Sequence, residues 1–273
     1  MTKSYEYYSK RIWGIESASL SPFDWGSIKL KYYLNSLEKI TGKALEVGCG
    51  GGQFVKGLYY YRPDLQITGV DISEKSILYA QSSSRGVTFK YGDVLKLPFK
   101  ANSFDAVSSF DTIEHLKNPQ KAVSEIHRVL KPGGVFHSST PIEGSVYTIL
   151  GIFHRIFKFN PKNKRIGHVN NFNENSLKKL IETQGFAIKE TRYSVHLFSQ
   201  FVDLVYSIIL NTCDTTRKSP EFSVESYLSE KQDHLFFRLI RLLYSGVVFV
   251  GFLESKILWW FPGQALSITA IKK

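Results

Sequence analysis

The sequence predicts an α/β fold, a mostly parallel sheet with helices on both faces, and three observations carry that prediction. Apolar stretches of strand length (43–48, 67–71, 87–91, 104–110 and 133–139) alternate with helical stretches near 52–61, 74–84 and 119–130, which is the βαβα order of a parallel sheet. A glycine-rich turn inside ALEVGCGGGQF (44–54) joins the first strand to the first of these helices. The second strand, ITGVDIS, ends in an acid, Asp71.

Each element has a local reason. Residues 1–40 gather aromatics (Tyr5, Tyr7, Tyr8, Trp13, Trp25, Tyr32, Tyr33), and 27–39 carry the apolar spacing of a helix, expected to pack on the sheet edge. Gly48, Gly50 and Gly52 permit a tight turn that brings backbone N–H groups to a ligand, and the Asp71 carboxylate can accept both hydroxyls of a ribose. Gln53 stands where a dinucleotide fingerprint has its third glycine, so a pyrophosphate fits less well. Glu46, at the strand end beside the turn, suits a ligand with an amino group and a sulfonium. Lys131-Pro132-Gly133-Gly134 places Pro and Gly as a type II turn needs them and sets the start of the fifth strand.

Beyond 141 lies an insertion, 145–166, first apolar (VYTILGIFHRIF) and then basic (KFNPKNKR). A helix follows, with Asn173 or Asn175 as N-cap and Gly185 at its C-terminal end, and then a strand. The final strand is 265–273, reached after a detour through 194–264. The organisation is thus an aromatic helical arm (1–40), a core (41–193), a helical insertion (194–264) and a last strand (265–273) that returns to the core.

The 273 residues, 43% of them hydrophobic, suffice for one α/β domain with additions and leave no room for a second nucleotide domain. A formal charge of +11 and a pI near 9.4 favour anionic surroundings: nucleic acid, anionic lipid or an acidic substrate. Two cysteines, Cys49 and Cys213, make neither a disulfide framework nor a C-x-x-C metal spacing, which suits a reducing cytosol. The N-terminus has no apolar core of a secretory signal, and no 18-residue uncharged apolar run is present. A cytoplasmic protein, peripheral at the inner face of a membrane, is the expectation.

Residues 43–141 resemble the class I S-adenosylmethionine (SAM)-dependent methyltransferases, of the ubiquinone/menaquinone-biosynthesis-like type. Beyond the glycine turn, KYGDVLKLPF (90–99), SFDAVSSFDTIEHL (103–116) and RVLKPGGVFHSSTP (128–141) are similar to that family's third strand, fourth strand, and helix, turn and fifth strand, in order. The resemblance implies a Rossmann-like, seven-stranded sheet and SAM as cofactor. It implies a cofactor site of Glu46, Gly48, Cys49, Gly50, Asp71, Ile72, Asp93, Val94 and Phe110, with Asp93 facing the adenine amino group and Val94 supplying a backbone donor. In many members the N-terminal arm closes over the cofactor, which would put Tyr7, Tyr8 and Trp13 on the substrate side.

The residues after the fourth strand face the reacting methyl group. Asp111, Thr112, Ile113, Glu114 and His115 form D-x-x-E-H, similar to the E-x-x-E-H that binds a divalent cation in the polyprenyl-dihydroxybenzene O-methyltransferases and the small-RNA 2′-O-methylating enzymes. In the RNA enzymes a later histidine completes that set, and His168 is its counterpart here. Asp in the first position is shorter by one methylene, so a metal is not the favoured reading. His115, as base or acceptor-orienting group, and Asp111 are the expected catalytic residues. His127 and His137 are expected to be structural.

The detour carries two strongly apolar stretches, 195–210 and 234–261, the second ending in Trp259-Trp260-Phe261. They read as a segment lying in a membrane interface, as a cap or homodimer seam, or as a substrate-shaped lid. The favoured function is methyl transfer to an amphiphilic acceptor (a prenylated quinol, a lipid or a lipid-linked sugar), O-methylation narrowly ahead. The alternatives are methylation of RNA or of a soluble small molecule, nucleic acid being the weaker because the aromatics sit within apolar runs, and an inactive SAM-binding partner subunit.

Overall fold

The computed structural model describes residues 12–157, 168–202, 204 and 235–273. In chain order these form α1 (Ser27–Ser36), β1 (Lys43–Val47), α2 (Gln53–Tyr61), β2 (Gln66–Asp71), α3 (Glu74–Ser82), β3 (Thr88–Tyr91) and β4 (Phe104–Phe110). A 3-10 turn (Ile113–His115) leads to α4 (Pro119–Val129), β5 (Leu130–Pro141), α5 (Ile149–Phe157), α6 (Glu174–Thr183), β6 (Phe186–Ser194), α7 (Leu235–Ile257) and β7 (Ala265–Lys272). The strands make one seven-stranded sheet in the order β3-β2-β1-β4-β5-β7-β6. The pairs among β1 to β5 are parallel, and β7 runs antiparallel between β5 and β6. This is the Rossmann-like fold that the sequence predicts.

The central strands are covered on both faces, so they read as continuous apolar and small residues rather than as an alternation. Ala44 to Val47 and Ala106 to Phe110 are all buried. One core lies under α4 and α6, centred on Phe136, Phe186 and Ile126. A second lies on the other face under α1 and α2, around Leu58, Val55 and Tyr33.

Two expectations need correction. Helix α1 does not lie on the sheet edge: its Tyr33 ring packs 5.5 Å from Phe110 of β4 and 5.2 Å from His137 of β5, on the face of central strands. Tyr33 is fully buried, and a large ring gains more from a central face than from an edge. The fifth strand begins at Leu130 rather than at Gly133. The register with β4 shifts between Phe104, opposite Leu130, and Ala106, opposite Val135. Lys131-Pro132-Gly133-Gly134 is therefore an irregularity within the strand, with Gly133 in the left-handed region at φ 73°.

Asn173 is the N-cap of α6: its side chain accepts from the Ser176 amide at 2.9 Å, and Ser176 Oγ accepts from the Asn173 amide in return. Gly185 follows that helix at φ 88°. His127 packs on Phe186 with ring centroids 5.1 Å apart. The buried His137 shares a hydrogen bond with Thr269 at 3.1 Å and is held down to a pKa of about 3 by burial. Both histidines sit in packing, as expected.

The detour leaves the sheet and rejoins it at one place. The Gln264 amide donates to the Val195 carbonyl at 2.8 Å, and the Tyr193 amide to the Trp259 carbonyl at 2.7 Å. Tyr32 Oη ties α1 to this region by donating to the carbonyls of Tyr193 and Ser255. Among the described residues no helix is long and apolar enough to cross a membrane. Tyr5, Tyr7, Tyr8, the basic run 158–165, the end of the first apolar stretch and Cys213 lie outside the described residues.

Phe136→Ala removes a fully buried ring between the sheet and α6. It is expected to lower stability by about 3–5 kcal/mol, read from urea unfolding.

Candidate active site

The parallel strands β1, β2, β4 and β5 all end on one side of the sheet, and β1 and β4 flank the point at which the strand order reverses. Open α/β sheets bind ligands in the crevice at that point. Here the crevice is a cavity of about 950 Å³. Its wall includes the nominated cofactor and catalytic residues: Glu46, Gly48, Cys49 and Gly50 after or within β1; Asp71 and Ile72 at the end of β2; Asp93 and Val94 after β3; and Phe110, Asp111 and His115 at the end of β4.

The glycine turn is held from three sides. Gly48 and Cys49 donate their amides to the Val70 carbonyl, at 2.8 and 3.1 Å, pinning the turn to β2. The Gly50 amide donates to Asp71 Oδ2 at 2.8 Å, and the Ser73 amide to Oδ1 at 2.8 Å, so both carboxylate oxygens are oriented by backbone. From above, the N-terminal arm lies across the turn: the Trp13 carbonyl accepts from the Gly51 amide at 2.6 Å, and the Ile15 carbonyl accepts from Lys56 Nζ at 2.6 Å. Gly50 sits at φ 51°, and a Cβ there would stand 2.5 Å from the Trp13 carbonyl oxygen. Trp13 itself lines the cavity.

Carboxyl groups dominate the polar wall. Glu46 is buried, and burial, reinforced by the neighbouring Asp71, pushes its pKa well above the usual carboxylate range. Burial also raises Asp71, against the pull of the Ser73 and Gly50 amides. The buried Cys49 thiol is raised in the same way and stays protonated.

The D-x-x-E-H segment divides. Asp111 adopts φ 46°, rare for a residue with a side chain, and its carboxylate pairs with Lys29 Nζ from α1. Glu114, in the 3-10 turn, is 0% exposed, and neither of its carboxylate oxygens has a hydrogen-bond partner among the described residues. Burial, then the charge of Asp111, raises its pKa well above the ordinary range. The Glu114 carbonyl accepts from the amides of Val169 and Asn170, both at 3.0 Å, and Asn170 Nδ2 donates to the Leu116 carbonyl at 2.7 Å. These bonds lash the 168–170 loop to the turn and bring in His168, whose ring centroid is 4.7 Å from that of His115. Glu114, His115 and His168 each offer a ligand atom, all within 4.8 Å of one another. Asp111 stands apart from this set, held by Lys29. His168 Nδ1 is 3.1 Å from the buried carboxylate of Glu143, which fixes the ring.

Val195, Ser199, Val202, Tyr244 and Val247 come from the detour and add an apolar flank. Lys29 and Glu143 carried no signal in the sequence; only their places in the fold bring them here.

The sequence profile of a methyltransferase domain matches residues 45–138, the stretch that builds the turn, both acid-tipped strand ends and the D-x-x-E-H segment. Over residues 45–138 the chain carries a methyltransferase domain. Among curated relatives, a sterol 24-C-methyltransferase of Gibberella zeae is 35% identical over 144 residues, covering 50% of this chain and 38% of that protein. A ubiquinone biosynthesis O-methyltransferase of Coxiella burnetii is 29% identical over 142 residues, covering 50% of this chain and 59% of that one. The chain spans about half the length of the curated relatives it matches. The crystal structure of a SAM-dependent methyltransferase from Mesorhizobium loti superposes with a TM-score of 0.54, at 17% identity, over 91% of this chain and 98% of that one. The fold of the methyltransferase domain is therefore shared well beyond the matched sequence.

The burial of Glu114 has a pH signature. A carboxyl whose folded pKa lies above its unfolded value favours the folded state below the ordinary carboxylate range, and that contribution is lost as pH rises through the folded pKa. Metal-free protein is expected to lose melting temperature from mildly acidic to alkaline buffer, and Glu114→Gln to flatten that loss, by about 2–4 °C for each kcal/mol involved. Thermal melts of both proteins across that range provide the check.

Proposed function

We propose that the protein transfers the methyl group of SAM to an amphiphilic acceptor such as a prenylated quinol, a lipid or a lipid-linked sugar, at oxygen before nitrogen or carbon. The observation that carries this reading is that one cavity is walled on one side by the acids and glycine turn of the methyltransferase domain and on the other by apolar side chains of the detour, Val195, Val202, Tyr244 and Val247. The names of the two relatives, for a sterol and for ubiquinone biosynthesis, agree with an apolar acceptor.

In this reading Asp71 holds the ribose hydroxyls, Glu46 the amino group, and Asp93 with the Val94 amide the adenine. The turn residues Gly48, Cys49 and Gly50, with Ile72 and Phe110, shape the rest of the pocket. The methyl group then faces the end of β4. His115 would take the acceptor's hydroxyl proton, and bound SAM would supply the methyl group, its sulfur keeping the electron pair of the broken carbon–sulfur bond. Asp111, paired with Lys29, positions the entry to that side.

A second reading is favoured by one observation, the buried Glu114 carboxylate, without a hydrogen bond among the described residues, beside two imidazoles, the nearer being His115 with Nε2 3.7 Å from Oε1. Glu114, His115 and His168 are the residues that would hold a divalent cation, and Glu143 would fix the tautomer of His168. Such a cation lowers the pKa of an acceptor hydroxyl. Calorimetric titration of Mn²⁺ or Mg²⁺ into chelator-treated protein decides it: binding lost in Glu114→Gln supports the cation, and no binding to the parent removes it.

The function is tested with methyl-labelled SAM and detergent-dispersed lipid extracts. Label is expected in an extractable lipid product, with kcat falling about 10²–10⁴-fold in His115→Ala at unchanged SAM affinity. Asp71→Ala is expected to weaken SAM binding about 10–100-fold by calorimetry, the loss of charge-assisted hydrogen bonds. Label appearing only in RNA or in soluble metabolites would overturn the acceptor class. Tight SAM binding with no transfer to any pool would point to a SAM-binding partner subunit instead.

A further inference from the structure

Helix α7 turns apolar side chains outward. Leu242, Phe249, Val250, Leu253 and Ile257 are exposed, Leu242 by 69% and Ile257 by 67%. At 3.6 residues per turn these positions fall on one stripe. Val248, Gly251 and Ser255 on the opposite side are buried, and Tyr244 and Val247 line the cavity. The helix is thus apolar towards the protein and apolar towards solvent. Its one acid between 242 and 257, Glu254, is turned away from the stripe. Glu254 Oε1 accepts from the Phe198 amide at 2.8 Å, and Oε2 accepts from the Ser199 amide and hydroxyl at 3.1 and 3.0 Å. The charge left on the exposed face is a cation, Lys256.

Neighbouring elements widen the same face. The exposed Phe23 ring stacks on Phe249 with centroids 5.5 Å apart. The helical segment 197–202, anchored by Glu254, exposes Leu197 and Phe201. Just beyond α7, Trp259, Trp260 and Phe261 are exposed, and the Arg192 guanidinium lies 5.3 Å over the Trp259 ring. Single exposed apolar residues are ordinary on a protein surface, whereas a contiguous face of this kind marks an interaction site.

We propose that this face docks on the surface of an anionic phospholipid bilayer, with α7 lying in the interface. Three features favour lipid over a second copy of the chain. Tryptophans and cations at the border of an apolar helix face match the polarity gradient of a headgroup layer. The helix acid is consumed internally, and the chain as a whole carries +11, which complements an anionic leaflet. The same helix also forms part of the cavity wall, through Tyr244 and Val247 on its inner side. The proposal rests on the reading of an amphiphilic acceptor and supplies its route: an acceptor moves from the bilayer past α7 without crossing water.

The test is flotation of the full chain with vesicles of phosphatidylcholine alone or mixed with phosphatidylglycerol, at low and high salt. Binding is expected to the anionic vesicles and to weaken with salt. Leu253→Ser and Trp260→Ala are each expected to lower the partition coefficient about tenfold, with SAM binding kept as the measure of folding. No flotation, or flotation unaffected by either substitution, overturns the proposal. So does a concentration-dependent dimer in sedimentation that the same substitutions dissociate, since the face is then a seam between copies. Failure of the acceptor reading is separable: vesicle binding that persists without methyl transfer to any lipid refutes that reading and leaves the docking surface standing.

Discussion

The close approach of Thr112 to Gly48 sets the geometry on which the whole site depends. The Thr112 hydroxyl donates to the Phe110 carbonyl at 2.9 Å and lies 3.4 Å from the Val47 carbonyl, so it bridges the ends of β1 and β4. Its side chain occupies the space that a Cβ at residue 48 would need, and Gly48 at φ 70° leaves that space open. Two loops with different tasks are thereby held in fixed relation. The turn on one side presents amides and Asp71, and the 3-10 turn on the other presents Glu114 and His115. In the proposed transfer, a methyl group passing between cofactor and acceptor tolerates little error in position, and this contact would bring binding and chemistry into register.

The electrostatics of the site oppose those of the chain. The protein carries +11, yet the polar wall of the cavity is acidic: Glu46, Asp71, Asp93, Asp111 and Glu114. Burial raises Glu46, Asp71 and Glu114, which means that the empty cavity resists holding these groups ionised. A cationic sulfonium and ammonium reverse that balance by favouring the ionised acids. A sulfonium that has given up its methyl group is neutral and loses part of this attraction. In the proposed function the same acids would favour cofactor over product.

Much of the core was legible in the sequence because it is written in local patterns. Alternating elements, the glycine turn and Asp71 lie in one continuous stretch, and their spacing alone implies where they meet. The structure places all of them around one cavity. What the sequence hid depends on contacts between distant segments. Asp111 reads as part of a D-x-x-E-H set, but α1 sends Lys29 to it, and nothing in the helical pattern of 27–39 singles out that lysine. Glu143 carries no signal in the sequence, and the bonds from Val169 and Asn170 to Glu114 bring His168 beside it. The placement of α1 was misjudged for a related reason: aromatic spacing reveals an apolar face but not which part of the sheet receives it. Gly133 has the positive φ that a type II turn needs, but pairing with β4 already begins at Leu130, before the Pro-Gly-Gly segment, and residue types alone do not show that.

The position of the detour follows from topology. Ala265, at the start of β7, pairs with Pro141 at the end of β5 and with Ser194 at the end of β6. Because β5 is parallel to β4, its end lies on the same rim of the sheet as the cofactor turn. Any chain inserted between Ser194 and Ala265 must therefore emerge over that rim, whatever its sequence. An insertion after β2, β3 or β4 would also start there but would have to return to the opposite rim before the next parallel strand. The β6-to-β7 connection begins and ends at the rim, so its whole length is free to wall the cavity. That is why an apolar helix at this point in the sequence can reshape the acceptor side without disturbing the cofactor side.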